Sequence, residues 1–171
     1  MPERPAELVY PFRMARDGSS RRGKIALSLM PRASALLCND QGEARFELDF
    51  HLDAQSRPVV TGRIQACVEL ICQRCLEPMN LELDLEVRLG IVRSDAEAVA
   101  LPDEREPLLV EDGSVSLAAL LEDELILGLP PAPLHPAGRC RPPGGSPTEA
   151  AASAVGLLAG LGPDRAKKLK G

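Results

Sequence analysis

A chain of 171 residues that is 44% hydrophobic, with one Tyr, three Phe and no Trp, is long enough for one domain with an aliphatic core but has few rings on which nucleic-acid bases could stack. Its net charge of −5 excludes nucleic-acid binding by overall charge, yet residues 1–32 carry a net +4, residues 139–171 again +4, and residues 95–124 hold ten acids against Arg105 alone. No run approaches the roughly 18 apolar residues of a membrane span and the N-terminus lacks the apolar stretch of a secretory signal, so a cytoplasmic chain with reduced thiols is the expectation.

In chain order, residues 1–24 mix Pro, Arg, Gly and Ser, and GSSRRGK (18–24) reads as a loop. Pro31 can open a helix running to about Cys38, and Asn39 to Gly42 signals a turn. The next segment has a period of two: Ala44, Phe46, Leu48, Phe50 and Leu52 alternate with Glu43, Arg45, Glu47, Asp49, His51 and Asp53, which predicts a half-buried antiparallel strand. A second alternating run puts Val60, Gly62, Ile64, Ala66, Val68, Leu70 and Cys72 on one face. A third sets Leu81, Leu83, Leu85, Val87, Leu89 and Ile91 against Glu82, Asp84, Glu86 and Arg88, so the three predict a meander with Cys72 and Cys75 at its second corner.

Beyond it, residues 93–107 read as an acidic loop and LLVEDGSVSL as a short hairpin about Asp112-Gly113. Ser116 can then cap a helix, LAALLEDELILG, with Leu117, Leu120, Leu121 and Leu125 on one stripe and Glu122, Asp123 and Glu124 elsewhere. The expected fold is α+β, an antiparallel β-meander forming a sheet or partly closed barrel with one or two packed helices. A basic segment with a short helix would occupy 1–42, the sheet with its helix and corner 43–140, and a Pro/Gly/Ala-rich basic tail, with one short helix near 148–161, residues 141–171.

Strand parity sorts the cysteines. Cys67 precedes Cys72 by five residues and so points to the opposite face, Cys38 reads as a small buried hydrophobe, and His51 as a solvated residue among Asp49 and Asp53. A zinc site needs four ligands; Cys72 and Cys75 supply two, and His135 with Cys140 would complete a Cys₃His structural site if the Pro-rich segment wraps back beneath the corner. Free thiols at a turn and a loop are the alternative. A thioredoxin-like role fits worse, because that motif opens a helix after a buried parallel strand. With no phosphate-binding glycine loop, no readable Ser-His-Asp arrangement and no small-molecule substrate evident, no enzyme is expected.

The phrase ICQRCLEPMNLELD, an acidic loop, SLAALLEDELILGLPPAPLH and a late cysteine together resemble the YceD-like family, the large ribosomal RNA subunit accumulation proteins of bacteria. The resemblance rests on the C-Q-R-C corner at 72–75, the E-D-E-L-I-L-x-L-P helix end at 122–130 and the His135…Cys140 pair, and it spans about residues 60–140. AVGLLAGLGPDRAKK looks like a degenerate form of the apolar-then-basic segment that often ends these proteins. The resemblance implies a cytoplasmic, non-enzymatic factor for large-subunit ribosomal RNA accumulation, its partners pre-large-subunit ribosomal RNA or ribosomal proteins.

Two clusters could touch phosphate as mobile basic arms: Arg13, Arg16, Arg21, Arg22 and Lys24, and in the tail Arg165, Lys167, Lys168 and Lys170. Failing those, Arg63, Arg74 and Arg88 offer cations on the polar face of the meander. The acidic belt, including Asp103, Glu104, Glu106, Glu122, Asp123 and Glu124, would face a basic protein. The competing reading is a redox or metal-handling protein that uses Cys72 and Cys75 chemically.

Overall fold

The computed structural model describes residues 7–143, so the expected tail helix and the cluster Arg165, Lys167, Lys168 and Lys170 lie outside the described residues. In chain order the elements are β1 (Leu8–Val9), α1 (Pro11–Asp17), β2 (Ser20–Ala26), α2 (Pro31–Ser34), β3 (Glu43–Leu52), β4 (Pro58–Ile71), β5 (Pro78–Val92), α3 (Asp95–Val99), β6 (Glu106–Leu109), β7 (Val115–Ser116) and α4 (Leu117–Gly128). Five strands form one open sheet in the order β2-β3-β4-β5-β6, and β1 pairs with β7 in a two-stranded ribbon.

Alternation builds the centre of this sheet. Ala44, Phe46, Leu48 and Phe50 of β3, Val60, Ile64, Ala66, Val68 and Leu70 of β4, and Leu83, Val87, Leu89 and Ile91 of β5 are buried. The residues between them, such as Arg45, Glu47, Gln65, Glu82 and Glu86, are exposed. Antiparallel registers run from Ala44–Ala66 to Leu52–Pro58 between β3 and β4, and from Val59–Gly90 to Ile71–Pro78 between β4 and β5. The expected meander is therefore present, as an open sheet rather than a barrel. Within β4, Gly62 lies opposite Leu48, and a Cβ there would stand 2.0 Å from the Glu47 carbonyl oxygen. Any side chain at that position would push the two strands apart.

A helical layer covers the apolar face. The Ser116 hydroxyl accepts a hydrogen bond from the Ala119 N–H at 3.3 Å and starts α4, whose Leu117, Leu120, Leu121 and Leu125 are buried. This helix packs against β5 and α2. Pro11 opens α1, Gly18 ends it at φ 63°, and its buried Met14 and Ala15 lie over β3 and β4.

Several expectations need correction. GSSRRGK is not a loop but supplies most of β2, paired with β3 from Ser20–Asp49 to Ala26–Glu43. The helix after Pro31 ends at Ser34, because the chain turns so that the Cys38 N–H can donate to the Glu69 carbonyl of β4 at 2.8 Å. That turn leaves Cys38 exposed rather than buried. The acidic segment contains α3, capped by Ser94, and β6, which runs parallel to β5. No hairpin forms about Asp112-Gly113: the strands on either side leave for different partners, β6 for β5 and β7 for β1.

One ion cluster ties the acidic segment to the sheet. The nearly buried carboxylate of Asp53, at the β3–β4 turn, accepts from the Gln55 and Arg57 backbone N–H groups and from the Arg57 and Arg105 guanidiniums. Desolvation would raise this carboxyl, but Arg105, Arg57 and the turn amides outweigh it and hold it well below the usual carboxylate range. A depressed acid stabilises the fold above its unfolded value, near pH 4, and that contribution is lost as the pH falls towards the folded value. Asp53→Asn should therefore lower the melting temperature at neutral pH and flatten its decline between about pH 5 and pH 2, checked by thermal unfolding across that range.

Candidate metal centre

Cys72 is the residue after β4 and continues that strand's inward face, so the apolar stripe ending at Leu70 carries it into full burial, 0% exposed. The chain then folds tightly. The Cys72 N–H donates to the Glu77 carbonyl and the Leu76 N–H to the Cys72 carbonyl, which holds Leu76 left-handed at φ 61°. A non-glycine residue in that conformation marks a corner whose shape is set from outside its own backbone preference. After α4 the chain returns beneath this corner, fixed by the Gln73 N–H donating to the Pro133 carbonyl at 2.8 Å.

That return brings all four predicted ligands together. The Cys72 and Cys140 sulfurs are 3.9 Å apart, Cys75 Sγ is 3.3 Å from His135 Nδ1, and the four donor atoms all lie within 4.8 Å of one another. With metal–sulfur bonds of about 2.3 Å and metal–nitrogen bonds of about 2.0 Å, a tetrahedron has edges of about 3.8 Å between sulfurs and about 3.5 Å from sulfur to nitrogen. The Cys72–Cys140 and Cys75–His135 spacings are close to those edges, so this cluster could hold a metal ion.

Its electrostatics point the same way. Burial pushes the Cys72 thiol up, but the Cys75, His135 and Arg74 backbone N–H groups aimed at its sulfur prevail and bring it down to about 5. Two of those contacts, from Arg74 and His135, measure 3.4 Å. Cys140 is pushed up to about 11 by desolvation and by the facing Cys75 and Cys72 sulfurs. Two sulfurs this close ionise together only against a cation. The corner joins two antiparallel strands and no helix starts at it, so the thioredoxin arrangement is not present.

The other candidates scatter. Cys67 is exposed on the polar face, away from the cluster, and His51 is half-buried. Arg13 and Arg16 lie on α1 and Arg21, Arg22 and Lys24 on β2, so these five are built into regular structure rather than a flexible arm. Arg21 sits 3.8 Å from Glu7, Lys24 lies 3.2 Å from Glu43, and Arg22 stands opposite Glu47. Of the fallback cations, Arg63 pairs with Asp84, Arg88 with Glu86, and Arg74 reaches Cys140.

Glu122 does not belong to the exposed acidic belt. It is 5% exposed and accepts from the Arg32 and Ala33 backbone N–H groups and the Arg32 guanidinium, so a carboxylate from α4 closes the first turn of α2. Its place beside Leu121 and Leu125, at the margin of the helical stripe, was the only trace of this in the sequence. Glu124 is partly buried, and desolvation with the nearby Glu106 and Asp123 charges pushes its carboxyl up to about 7.

An open α+β sheet with a Cys/His cluster at one corner defines the class. Residues 60–155 match the family model "Large ribosomal RNA subunit accumulation protein YceD". The Haemophilus influenzae large ribosomal RNA subunit accumulation protein YceD is 34% identical over 133 residues, covering 77% of this chain and 76% of that relative. The chain belongs to the YceD family. No solved structure matches it.

The grip of Glu122 on α2 anchors α4, the helix from which the chain leaves for the segment carrying His135. Glu122→Ala would leave the Arg32 and Ala33 backbone donors without their acceptor and the Arg32 guanidinium with Asp123 alone. The expected loss is about 2–3 kcal/mol of unfolding free energy, read by urea denaturation, and Arg32→Ala should lose less because the backbone donors keep their partner.

Proposed function

We propose that this protein is a cytoplasmic, non-enzymatic factor in ribosome biogenesis, supporting large-subunit ribosomal RNA accumulation through contact with pre-ribosomal RNA or ribosomal proteins. Membership of the YceD family is the observation that carries this reading. Among the described residues no helix is long and apolar enough to cross a membrane.

In this reading Cys72, Cys75, His135 and Cys140 hold one zinc ion as a structural staple. Three thiols and an imidazole gathered within 4.8 Å of one another suit zinc, and four protein donors leave no open position for a substrate or an activated water. The ion would tie the β4–β5 corner to the segment after α4. Purified protein should carry one zinc per chain by elemental analysis, Cys140→Ser should lose it, and chelation should lower the melting temperature. Metal-free protein of unchanged stability would overturn the staple and return weight to thiol chemistry at Cys72 and Cys75.

RNA contact is assigned to Arg13, Arg16, Arg21, Arg22 and Lys24, joined on sequence grounds by Arg165, Lys167, Lys168 and Lys170. The acidic surface of Asp103, Glu104, Glu106, Asp123 and Glu124 repels phosphate and would face a basic protein. Reversing charge on β2 would place acids opposite Glu47 and beside Glu43, so neutral replacement is the sounder test. Arg21→Gln, Arg22→Gln and Lys24→Gln together should lower co-sedimentation with pre-large-subunit particles at unchanged melting temperature, and RNase treatment should release the wild-type protein. Co-sedimentation that survives RNase and is unaffected by the triple change would assign the contact to ribosomal protein instead.

A further inference from the structure

The chain has only four aromatic residues, and they divide evenly between two places. Phe46 and Phe50 lie in the core, whereas Tyr10, together with Phe12, which also packs against the core, lines a cleft of about 350 Å³ between α1, the end of β5 and the segment ahead of β7. Tyr10 is 53% exposed there, although a ring with no function to perform gains by burial. Arg13, Arg16 and Arg93 line the same cleft against a single carboxylate, Glu111, so its lining carries three positive charges and one negative. Arg93 is already stacked on Phe12, its guanidinium carbon 4.1 Å from the ring centroid. The Arg13 contact to Asp17, at 3.7 Å between exposed groups, is weak and leaves the guanidinium available.

Aromatic faces beside a stacked guanidinium and further arginines are the parts from which proteins build sites for unpaired nucleotides. The rings and the guanidinium plane take the base, and the remaining cations take the phosphates. An acidic peptide would use the charges but leave Tyr10 idle, and a duplex, its bases already stacked, would do the same. We infer that this cleft binds a nucleotide of single-stranded RNA, its base against Tyr10 and the Phe12–Arg93 stack and its phosphates on Arg13 and Arg16. The inference rests on the proposed RNA contact and narrows it from a general attraction for phosphate to a stacking site beside α1.

Tyr10 is the sole tyrosine in a chain without tryptophan, so its emission reports this cleft alone. Titration of the full chain with an eight-residue oligouridylate at low salt should quench tyrosine emission saturably, and an RNA duplex of equal length or a polyglutamate of equal charge should not. Labelled oligouridylate, followed by anisotropy, should bind Tyr10→Leu and Arg93→Gln about tenfold more weakly, with circular dichroism unchanged. Arg22→Gln with Lys24→Gln should weaken binding yet keep the quenching. If wild type and Tyr10→Leu bind the oligonucleotide equally, the cleft assignment falls while the RNA reading stands. If the full chain binds no RNA, both fall. Quenching by polyglutamate equal to that by RNA would overturn the inference in favour of an acidic protein segment.

Discussion

The antiparallel pairing of β4 with β5, held in one register from Val59–Gly90 to Ile71–Pro78, is the constraint on which the rest of this structure depends. A slip of one residue would turn every side chain of a strand to its opposite face. Because the register holds to the very end of both strands, Cys72 is delivered into the core and Cys67 into solvent. The chelating corner is thus a continuation of the hydrophobic stripe, not a separate loop that happens to contain thiols. Gly62 serves the same pairing from the other side, since β3 can lie that close to β4 only where no Cβ intervenes.

The second half of the cluster comes from a different source of order. His135 and Cys140 follow a Pro-rich segment with no regular structure of its own, which leaves α4 and is held against the corner by the Gln73–Pro133 hydrogen bond and by the His135 N–H on Cys72 Sγ. That helix is placed by apolar burial along one stripe and by Glu122, whose carboxylate engages both the backbone and the side chain of Arg32. A buried carboxylate satisfied by several donors is directional where apolar packing is not, so it can fix the rotation of α4 as well as its depth. Sheet register and helix rotation therefore meet at the four donor atoms, and the cluster is a sensitive product of both.

Much of this was legible in the sequence, for reasons that also explain what was hidden. Alternation over ten or more residues identifies β3, β4 and β5 because only a half-buried strand keeps a period of two for so long. Ser116 and the leucine stripe identify α4 in the same way, and donor chemistry alone joins Cys72, Cys75, His135 and Cys140. The pieces that were missed lack a repeating burial pattern. Strand β2 is held chiefly by backbone hydrogen bonds to one neighbour, so Ser, Arg and Gly suffice and nothing alternates. Strand β6 is four residues long and runs parallel to β5, the strand just before it, while β1 and β7 are two residues each. Asp53 with Arg105, Glu122 with Arg32, and Phe12 with Arg93 are meetings across more than fifty residues, which no local spacing announces.

Among the described residues the sheet is open and ends in two edge strands, β2 and β6, and unpaired edges invite strands from other molecules to add on. Each edge here carries a deterrent. On β2, Arg21, Arg22 and Lys24 crowd positive charge along the outermost strand, so two copies approaching edge to edge would bring like charges together. On β6, Pro107 removes one backbone donor and Glu106 adds charge. The basic residues of β2 thus guard the molecule against its own kind while remaining available to an anion. A polyanion lying along that edge would neutralise the repulsion and cover the backbone in the same act, so the protection is relieved only where it is no longer needed.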